Sequence, residues 1–227
     1  MAGATFGQLQ SRVAARLIDP SSTAVSLANV AQAINDAVAY WKTRKFFFNQ
    51  RVANLTLDVN DPFVLQYGNT NSNYPSAPVL PSDFLFEDEE NGFTIPYNNL
   101  TYAVTKQPPA VYDNASNNGK GLPYIYCFRN GNYELYFFPQ IAYTLRVNYI
   151  CDYVDLVAAT DTNDFTKYAD KLIEYDAISR ILADLRMDDD RAAKFAARAQ
   201  EENTNLKSRS RKQNATGRLT VDSILAS

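Results

Sequence analysis

The chain has 227 residues, of which 46% are hydrophobic, and its formal net charge is −3. This length and composition suffice for one hydrophobic core and allow two sub-domains. Histidine is absent, which excludes histidine bases, histidine metal ligands and every Ser-His or Cys-His nucleophile, while carboxylate, lysine and tyrosine chemistry remain available.

The sequence shows no N-terminal apolar leader and no apolar run of about 18 residues, so we expect a soluble protein without an export signal. Its two cysteines, Cys127 and Cys151, lie in apolar, strand-like contexts. We therefore expect them to be core residues of a reduced, intracellular protein rather than a disulfide framework.

Two helices are predicted near the N-terminus. Thr5 and Gln8 have the spacing of a capping box, and apolar residues follow at helical spacing until Asp19-Pro20 ends the pattern. Ser26 is the candidate N-cap of a second helix, which we predict to run to about Lys45.

The periodicity changes to two residues from Phe46 onward, which is typical of strands. Residues 60–62 are predicted to turn before a return strand over 63–65. The remaining predictions for this region are a loop over 68–82, a strand over 93–97, a short helix within 98–105 and a second loop over 106–122.

The strongest hairpin signal is Asn130-Gly131, because this dipeptide suits a tight type I′ turn. It joins strands predicted over 124–128 and 133–138, and a further alternating strand follows over 141–149.

The helical period returns at Asp164, a candidate N-cap, and one wide apolar stripe continues to Leu185. Asp188–Asp190 opens another helix, where carboxylates suit the positive end of the helix dipole. We predict that this last helix ends near Lys207.

This order predicts an α+β fold in which the terminal helices form an antiparallel bundle around an inserted β-rich sub-domain, followed by an extended C-terminal arm. The predicted boundaries are 1–45 and 164–207 for the bundle, 46–163 for the inserted sub-domain and 208–227 for the arm. We expect Trp41 and Phe46–Phe48 to join the bundle to the β sub-domain.

The predicted arm combines basic charge with an apolar tip. From Lys207 onward five basic residues stand against one acidic residue, which leaves 17 basic and 24 acidic residues before it, so the arm is near +4 and the body near −7. Because ordering a segment costs roughly 1–2 kcal/mol per residue, apolar side chains there favour ordering against another chain or another copy. A frayed terminus is the alternative. The candidate binding residues are Arg209, Arg211, Lys212, Arg218, Leu219, Val221, Ile224 and Leu225.

Two acidic runs, Glu87–Glu90 and Asp188–Asp190, offer clustered carboxylates. Such clusters serve acid/base catalysis or hold hard cations. A solvated loop or sheet edge for the first run and helix-terminus stabilisation for the second need no ligand and are favoured. We therefore predict no catalytic, cofactor-binding or metal-binding residue.

Aromatic residues, which include 15 tyrosines and 13 phenylalanines, crowd the predicted hairpin at Asn130-Gly131. If exposed, they could stack on bases or sugars. As strand residues they fill a core or a subunit contact, which is the favoured interpretation. The candidate contact residues are Tyr124, Tyr126, Tyr133 and Tyr136.

Taken in order, several segments resemble the head-to-tail adaptor (connector) proteins of tailed bacteriophages, especially the short-tailed ones. No single segment is chemically unique, so the resemblance rests on their order over nearly the whole chain. The segments are TFGQLQSRVAARLIDP and VSLANVAQAINDAVAYW at the start, then VLPSDF, GLPYIYCFRNGNYELYFFP and YTLRVNYICDYVDL, and finally KYADKLIEYDAISRIL and RAAKFAARAQEENTNLKSRSRKQNATGRL.

The resemblance implies a structural protein of the virion, made in the host cytoplasm and located at the head–tail junction beneath the dodecameric portal. It implies a homo-oligomeric ring of matching twelve-fold symmetry whose arm reaches into the portal. Such a ring helps to retain the genome and carries nozzle or fibre proteins of the tail, for which the four tyrosines are candidate contacts. Packaged DNA would pass through without sequence-specific binding, and neither a membrane nor a cofactor is implied.

Two other functions stay open. One is a DNA-binding module that uses the basic arm and the tyrosine-rich hairpin. The other is a carboxylate-based cell-wall glycan hydrolase, an activity credited to some short-tailed members of the family. No carboxylate pair in this sequence is placed well enough to carry that activity over.

Overall fold

The computed structural model describes residues 3–17, 25–70, 73, 75–115, 119–185 and 188–216. The chain has a mixed α+β fold, as its predicted fold class states, and it divides into two compact units. The helical unit consists of residues 1–49 and 153–227, and the β unit consists of residues 50–152. In chain order the elements are α1 (Phe6–Leu17), α2 (Leu27–Trp41), β1 (Gln50–Leu57), β2 (Phe63–Leu65), β3 (Phe84–Glu87), β4 (Phe93–Tyr97), β5 (Leu100–Lys106), α3 (Pro109–Ala115), β6 (Lys120–Gly121), β7 (Ile125–Arg129), β8 (Asn132–Tyr136), β9 (Phe138–Pro139), β10 (Tyr143–Cys151), α4 (Asp164–Tyr168), α5 (Asp170–Asp184) and α6 (Asp189–Thr216).

Helix α1 begins at the predicted capping box. The backbone N–H of Thr5 donates to Oε1 of Gln8 at 2.9 Å, and the N–H of Gln8 donates to Oγ1 of Thr5 at 3.3 Å. These bonds satisfy amides that the helix itself leaves without partners. Phe6, Leu9 and Val13 follow at helical spacing and are buried, so α1 presents one apolar face to the core.

Helix α2 is capped as predicted, because Oγ of Ser26 accepts a hydrogen bond from the N–H of Asn29 at 3.2 Å. Leu27 is 67% exposed, and the buried face of the helix begins at Val30. The helix ends at Trp41, short of the predicted end at Lys45.

The helical unit encloses one hydrophobic core, and α5 packs against α1, α2 and α6. Phe165 lies inside this core, with its ring centroid 5.1 Å from that of Phe48, 5.3 Å from that of Tyr153 and 6.0 Å from that of Phe46. Trp41, Phe46 and Phe48 are buried here. Their burial against the helices places these aromatic residues in the interior of the helical unit.

The predicted continuous helix from Asp164 is two helices. Asn163, rather than Asp164, is the N-cap of α4, because its Oδ1 accepts from the N–H of Thr166 at 3.0 Å while its own N–H donates to Oγ1 of Thr166 at 3.1 Å. The break falls at Ala169, whose φ is −132°. Alanine is the best helix former, so nothing in the local sequence signalled this interruption.

The β unit contains an eight-stranded sheet in the order β1-β10-β4-β5-β7-β8-β2, with β3 also pairing with β10. Every pair in this sheet is antiparallel except β5 and β7, which are parallel. Strands β6 and β9 form a separate parallel pair. The predicted return strand is real, but it is not the partner of β1, since β1 pairs with β10 and β2 pairs with β8.

Two tight turns organise the sheet. Asn130 and Gly131 have φ values of 52° and 73° and join β7 to β8, so the predicted hairpin is confirmed. Asn98 and Asn99, with φ values of 50° and 63°, join β4 to β5 in the same way. The predicted short helix within 98–105 is therefore wrong, because asparagine tolerates the left-handed region that both central positions of a type I′ turn require.

The predicted loop over 106–122 contains helix α3. Pro109 occupies its first position, where a missing N–H costs nothing. Tyr112 is buried and its hydroxyl donates to the carbonyl oxygen of Leu135 at 3.2 Å, which fixes α3 to β8. This helix has seven residues and is stabilised by contact with a distant strand. The local sequence therefore gave little indication of it.

Aromatic rings fill much of the interior of the β unit. Phe93 lies 4.6 Å from Tyr126 and 5.0 Å from Tyr133, centroid to centroid. Cys127 and Cys151 are buried, as expected. Within the described ranges, no helix has the length and apolar character needed to cross a membrane.

Candidate functional site

Helix α6 extends well beyond its predicted end. It has 28 residues and includes 208–216, which the sequence analysis assigned to an extended arm. The correction has a physical reason, because the first glycine or proline after Lys207 is Gly217. The extension is also anchored: Oγ of Ser210 accepts from the backbone N–H of Phe47 at 3.0 Å and donates to the carbonyl oxygen of Leu206 at 2.9 Å.

The predicted arm residues fall into two groups. Arg209, Arg211 and Lys212 lie on the last turns of α6 with exposed side chains, while Ser210 between them is buried. The helix therefore presents a basic outer face at this point. The other five candidates lie outside the described residues, namely Arg218, Leu219, Val221, Ile224 and Leu225.

A groove of about 360 Å³ lies beside this basic face within the helical unit. Arg209 and Glu202 of α6 line one side, and Lys167, Asp170 and Lys171 line the other. The lining carries both signs of charge, so it suits polar side chains better than an apolar ligand.

The structure places the four candidate tyrosines in two environments. Tyr126, Tyr133 and Tyr136 are buried in the β unit, whereas Tyr124 is 45% exposed. The ring of Tyr124 packs 5.2 Å from that of Phe137, centroid to centroid. Of these four, Tyr124 alone has an exposed ring, while the other three are part of the core of the β unit.

The acidic run at Glu87–Glu90 was predicted to be a solvated loop or sheet edge, and this is wrong for Glu87, which is buried. Strand β3 pairs with β10 up to Glu87, whose carboxylate is buried, whereas Glu89 and Glu90 are exposed. Oε2 of Glu87 accepts from the hydroxyl of Tyr133 at 2.7 Å, and Oε1 pairs with the ammonium group of Lys106.

This arrangement keeps Glu87 ionised. Burial by itself raises the pKa of the carboxyl, but the hydrogen bonds from Lys106 and Tyr133 outweigh burial and hold the pKa below its usual value. Burial, followed by the bond to Glu87, raises the pKa of Tyr133. A carboxylate with a lowered pKa is a poor general acid, so the geometry indicates a structural role.

The second acidic run acts as a helix terminus. Oδ1 of Asp188 accepts a hydrogen bond from the backbone N–H of Arg191 at 3.1 Å, at the start of α6. This contact is what the helix-terminus interpretation predicts. Within residues 3–216, gaps excepted, no cluster of three or more Cys, Asp or Glu is arranged to hold a metal ion.

Sequence reasoning missed two features of the β unit. The Glu87–Lys106–Tyr133 network joins three strands that are far apart in the chain, so no local spacing announces it. Strand β5 was hidden inside a predicted helix, and most of its side chains are exposed. The signal available for β5 was the pair Asn98-Asn99 beside an alternating segment.

Three exposed features of the described residues stand out. They comprise the basic end of α6 with its groove, the exposed Tyr124 and the exposed strand β5. The model of the SU10 adaptor protein family matches residues 4–222 of the chain. A comparison with curated proteins finds no match.

Proposed function

The chain belongs to the SU10 adaptor protein family, and from this premise we propose that it is a structural head-to-tail adaptor of a tailed bacteriophage. It forms a ring of twelve copies beneath the portal, which matches the twelve-fold symmetry of the portal. In the virion it joins the portal to the nozzle or fibre proteins of the tail and helps to retain the packaged genome.

The family match carries this proposal, because it extends over residues 4–222 and so includes both compact units. The adaptor family consists of structural phage proteins, and a joint of this kind needs surfaces rather than a catalytic centre. A closed ring also needs a heterologous contact, in which one face of a copy meets a different face of the next.

The basic end of α6 supports a role for the C-terminal segment in binding the portal or a neighbouring copy. Arg209, Arg211 and Lys212 are exposed on the helix that leads into this segment, and Arg218 follows in the sequence. Exposed ion pairs contribute only about 0.2–1 kcal/mol each. These charges therefore govern the rate of approach and the salt dependence of assembly rather than its final strength.

The apolar residues of the segment supply the strength in this proposal. Burial of one such side chain contributes about 1.5–3 kcal/mol, and repetition around a ring multiplies the effect through avidity. The anchoring residues would be Leu219, Val221, Ile224 and Leu225. Tyr124 is the proposed contact for a neighbouring copy or a tail protein, since it is the exposed member of the tyrosine set.

Deletion of Leu219–Ser227 tests the proposal. We expect the shortened protein to stay folded, because the core of the helical unit extends only to Leu206 among the described residues. We also expect it to lose attachment to portal-bearing heads, measured by co-sedimentation with heads that lack the adaptor, and such heads should leak DNA. Normal attachment of the shortened protein would refute the role of the segment.

A matched control separates charge from burial. Arg209→Glu with Arg211→Glu leaves the apolar residues intact and reverses two exposed charges, so attachment should weaken most at low salt and recover at high salt, where the charges are screened. If this double variant attaches with an unchanged salt dependence, the charge argument is wrong. If full-length protein fails to attach to heads at all, the adaptor function itself is wrong.

A DNA-binding role has one supporting observation, namely the exposed basic residues at the end of α6. It predicts an affinity for duplex DNA that falls steeply with salt, with a slope set by the number of phosphates contacted. The Arg209→Glu/Arg211→Glu variant would then lose DNA binding, while head attachment would be unaffected.

A further inference from the structure

Strand β5 has an open edge along most of its length. It pairs with β4 through Leu100–Val104, but its other side meets β7 only at Thr105 and Lys106. In the described part of the chain no strand lies beside Leu100–Ala103. Natural proteins protect such edges with charges, prolines or bulges, and residues 100–104 read LTYAV, which contains none of these.

The first strand of the sheet has a second open edge. Strand β1 pairs with β10 on one side, and within the described ranges no strand lies on the other side of Val52–Leu57. Residues 52–57 read VANLTL, so this edge also carries no charge and no proline. One sheet therefore exposes two unprotected edges.

The apolar faces of these two edges match. Directly opposed residues share a face of a sheet, and the register places Ala53, Leu55 and Leu57 on the same face as the buried side of β10. The register through β4 places Leu100, Tyr102 and Val104 on that same face.

Both edges leave apolar side chains of this face partly uncovered. Leu100 is 60% exposed and Tyr102 is 37% exposed, although they lie on the side of the sheet that forms the core. Ala53 and Leu55 are half-buried. A strand placed beside either edge would complete the apolar face there.

The directions of the two strands also match. Strands β1, β10, β4 and β5 are successively antiparallel, so β1 and β5 run in opposite directions. If a second copy continues the sheet in the same orientation, its β1 lies antiparallel to β5 of the first copy. Antiparallel pairing is the more stable arrangement.

We propose that copies of this chain join head to tail by pairing β5 of one copy with β1 of the next. The pairing is confined to Leu100–Ala103, because β7 occupies the edge from Thr105 onward. Leu100 and Tyr102 then oppose two of the three residues Ala53, Leu55 and Leu57. This inference rests on the proposed function, gives its ring a lateral contact, and covers both edges with one type of contact.

Cysteine cross-linking of the full-length protein tests the pairing. Thr101→Cys combined with Thr56→Cys or with Asn54→Cys covers the two registers that match the faces. Within one copy these positions are separated by two intervening strands, roughly 14 Å, which is too far for a disulfide. The native Cys127 and Cys151 are buried, so they do not compete.

Oxidation should give a ladder of dimers and larger oligomers from at least one double variant. Thr101→Cys with Leu55→Cys places the thiols on opposite faces and should give no ladder. A dimer from Thr101→Cys alone would indicate a symmetric β5–β5 contact and overturn the proposal. A protein that stays monomeric, or oligomers without cross-links in either register, would overturn it too, while leaving the attachment test of the adaptor function unaffected.

Charge substitutions supply an independent measurement. Leu100→Lys with Tyr102→Lys places two charges on the proposed contact face and should weaken self-association by about tenfold or more, with a circular-dichroism melt to show that the variant remains folded. Thr101→Lys with Ala103→Lys adds the same charges to the opposite face and should weaken it less. Equal self-association of the Leu100/Tyr102 variant and the unaltered protein would contradict the proposal.

Discussion

Each compact unit buries a glutamate, and the two units neutralise the charge differently. In the helical unit, Glu174 of α5 meets two guanidinium groups from α1: Nε of Arg12 is 3.2 Å from Oε2, and Nε of Arg16 is 2.5 Å from Oε1. In the β unit, Glu87 is held by Lys106 and by the buried hydroxyl of Tyr133.

The difference lies in where each unit finds partners for its buried carboxylate. The side chains of Arg12 and Arg16 are 40% and 44% exposed. They lie at the surface of the helical unit and extend their long side chains over the buried Glu174. The β unit instead brings a phenol from across the sheet, which gives Glu87 a neutral partner inside the core. Both units therefore place a partly exposed cation against the buried carboxylate, and the β unit adds a neutral hydroxyl donor from its interior.

The largest expected effect comes from emptying either core. Phe165→Ala in the helical unit and Phe93→Ala in the β unit should each lower the free energy of unfolding of their own unit by about 3–5 kcal/mol, because both rings are fully buried. Thermal unfolding should be followed in both variants by the helical signal at 222 nm and by the near-ultraviolet tyrosine signal. Each substitution should lower the transition of its own unit more than that of the other unit. If both signals change together in both variants, the two units do not unfold separately.

Removal of Arg12 and Arg16 should have the second largest effect on stability. Arg12→Ala with Arg16→Ala leaves Glu174 buried without a positive partner and should cost roughly 3 kcal/mol. Urea unfolding measures the loss. Adding Glu174→Met should recover much of it, and if that third substitution gives no recovery the uncompensated carboxylate is not the cause.

The β network should make stability depend on pH. Because the folded-state pKa of Glu87 is lowered, its contribution is present above the ordinary carboxyl pKa and is lost as the pH falls through the folded value. Glu87→Gln should cost about 1–2 kcal/mol at pH 7. The cost should shrink in acid, as followed by urea unfolding at several pH values, and a cost that is constant with pH would contradict this account.

The smallest effect concerns the turn that starts β5. Asn99→Ala places an alanine at a φ of 63° and should cost about 1 kcal/mol, whereas Asn99→Gly should be nearly neutral. Chemical denaturation of the two variants side by side measures the difference. Equal costs for alanine and glycine would mean that the left-handed conformation does not limit the hairpin.

Local signals explain which parts of the fold were predictable. The capping residues Thr5 and Ser26 and the turn at Asn130-Gly131 act within a few residues, so the sequence pattern located them correctly. The order of the strands depends on contacts between distant segments, such as β1 with β10, and periodicity says nothing about these partners.

The same reasoning applies to the candidate site. The basic residues near Arg209 could be identified from composition, and the lack of glycine or proline before Gly217 was a local signal that the helix continues. The anchor between Ser210 and Phe47 could not be read from the sequence, because these residues are far apart in the chain. A core role for the tyrosines of the hairpin was within the favoured interpretation, but the sequence could not tell the exposed Tyr124 from the buried Tyr126 and Tyr133, because tyrosine suits both faces of a strand.

The β unit begins and ends on neighbouring strands, since Gln50 of β1 is paired with Ile150 of β10. For the helical unit, a folded insert of this kind acts as a short bridge between two nearby chain ends. An unfolded insert of about a hundred residues would be a flexible loop whose closure costs roughly 4 kcal/mol. Folding of the β unit removes this loop-closure cost and so stabilises the helical unit. The stabilities of the two units are therefore linked through the connectivity of the chain alone.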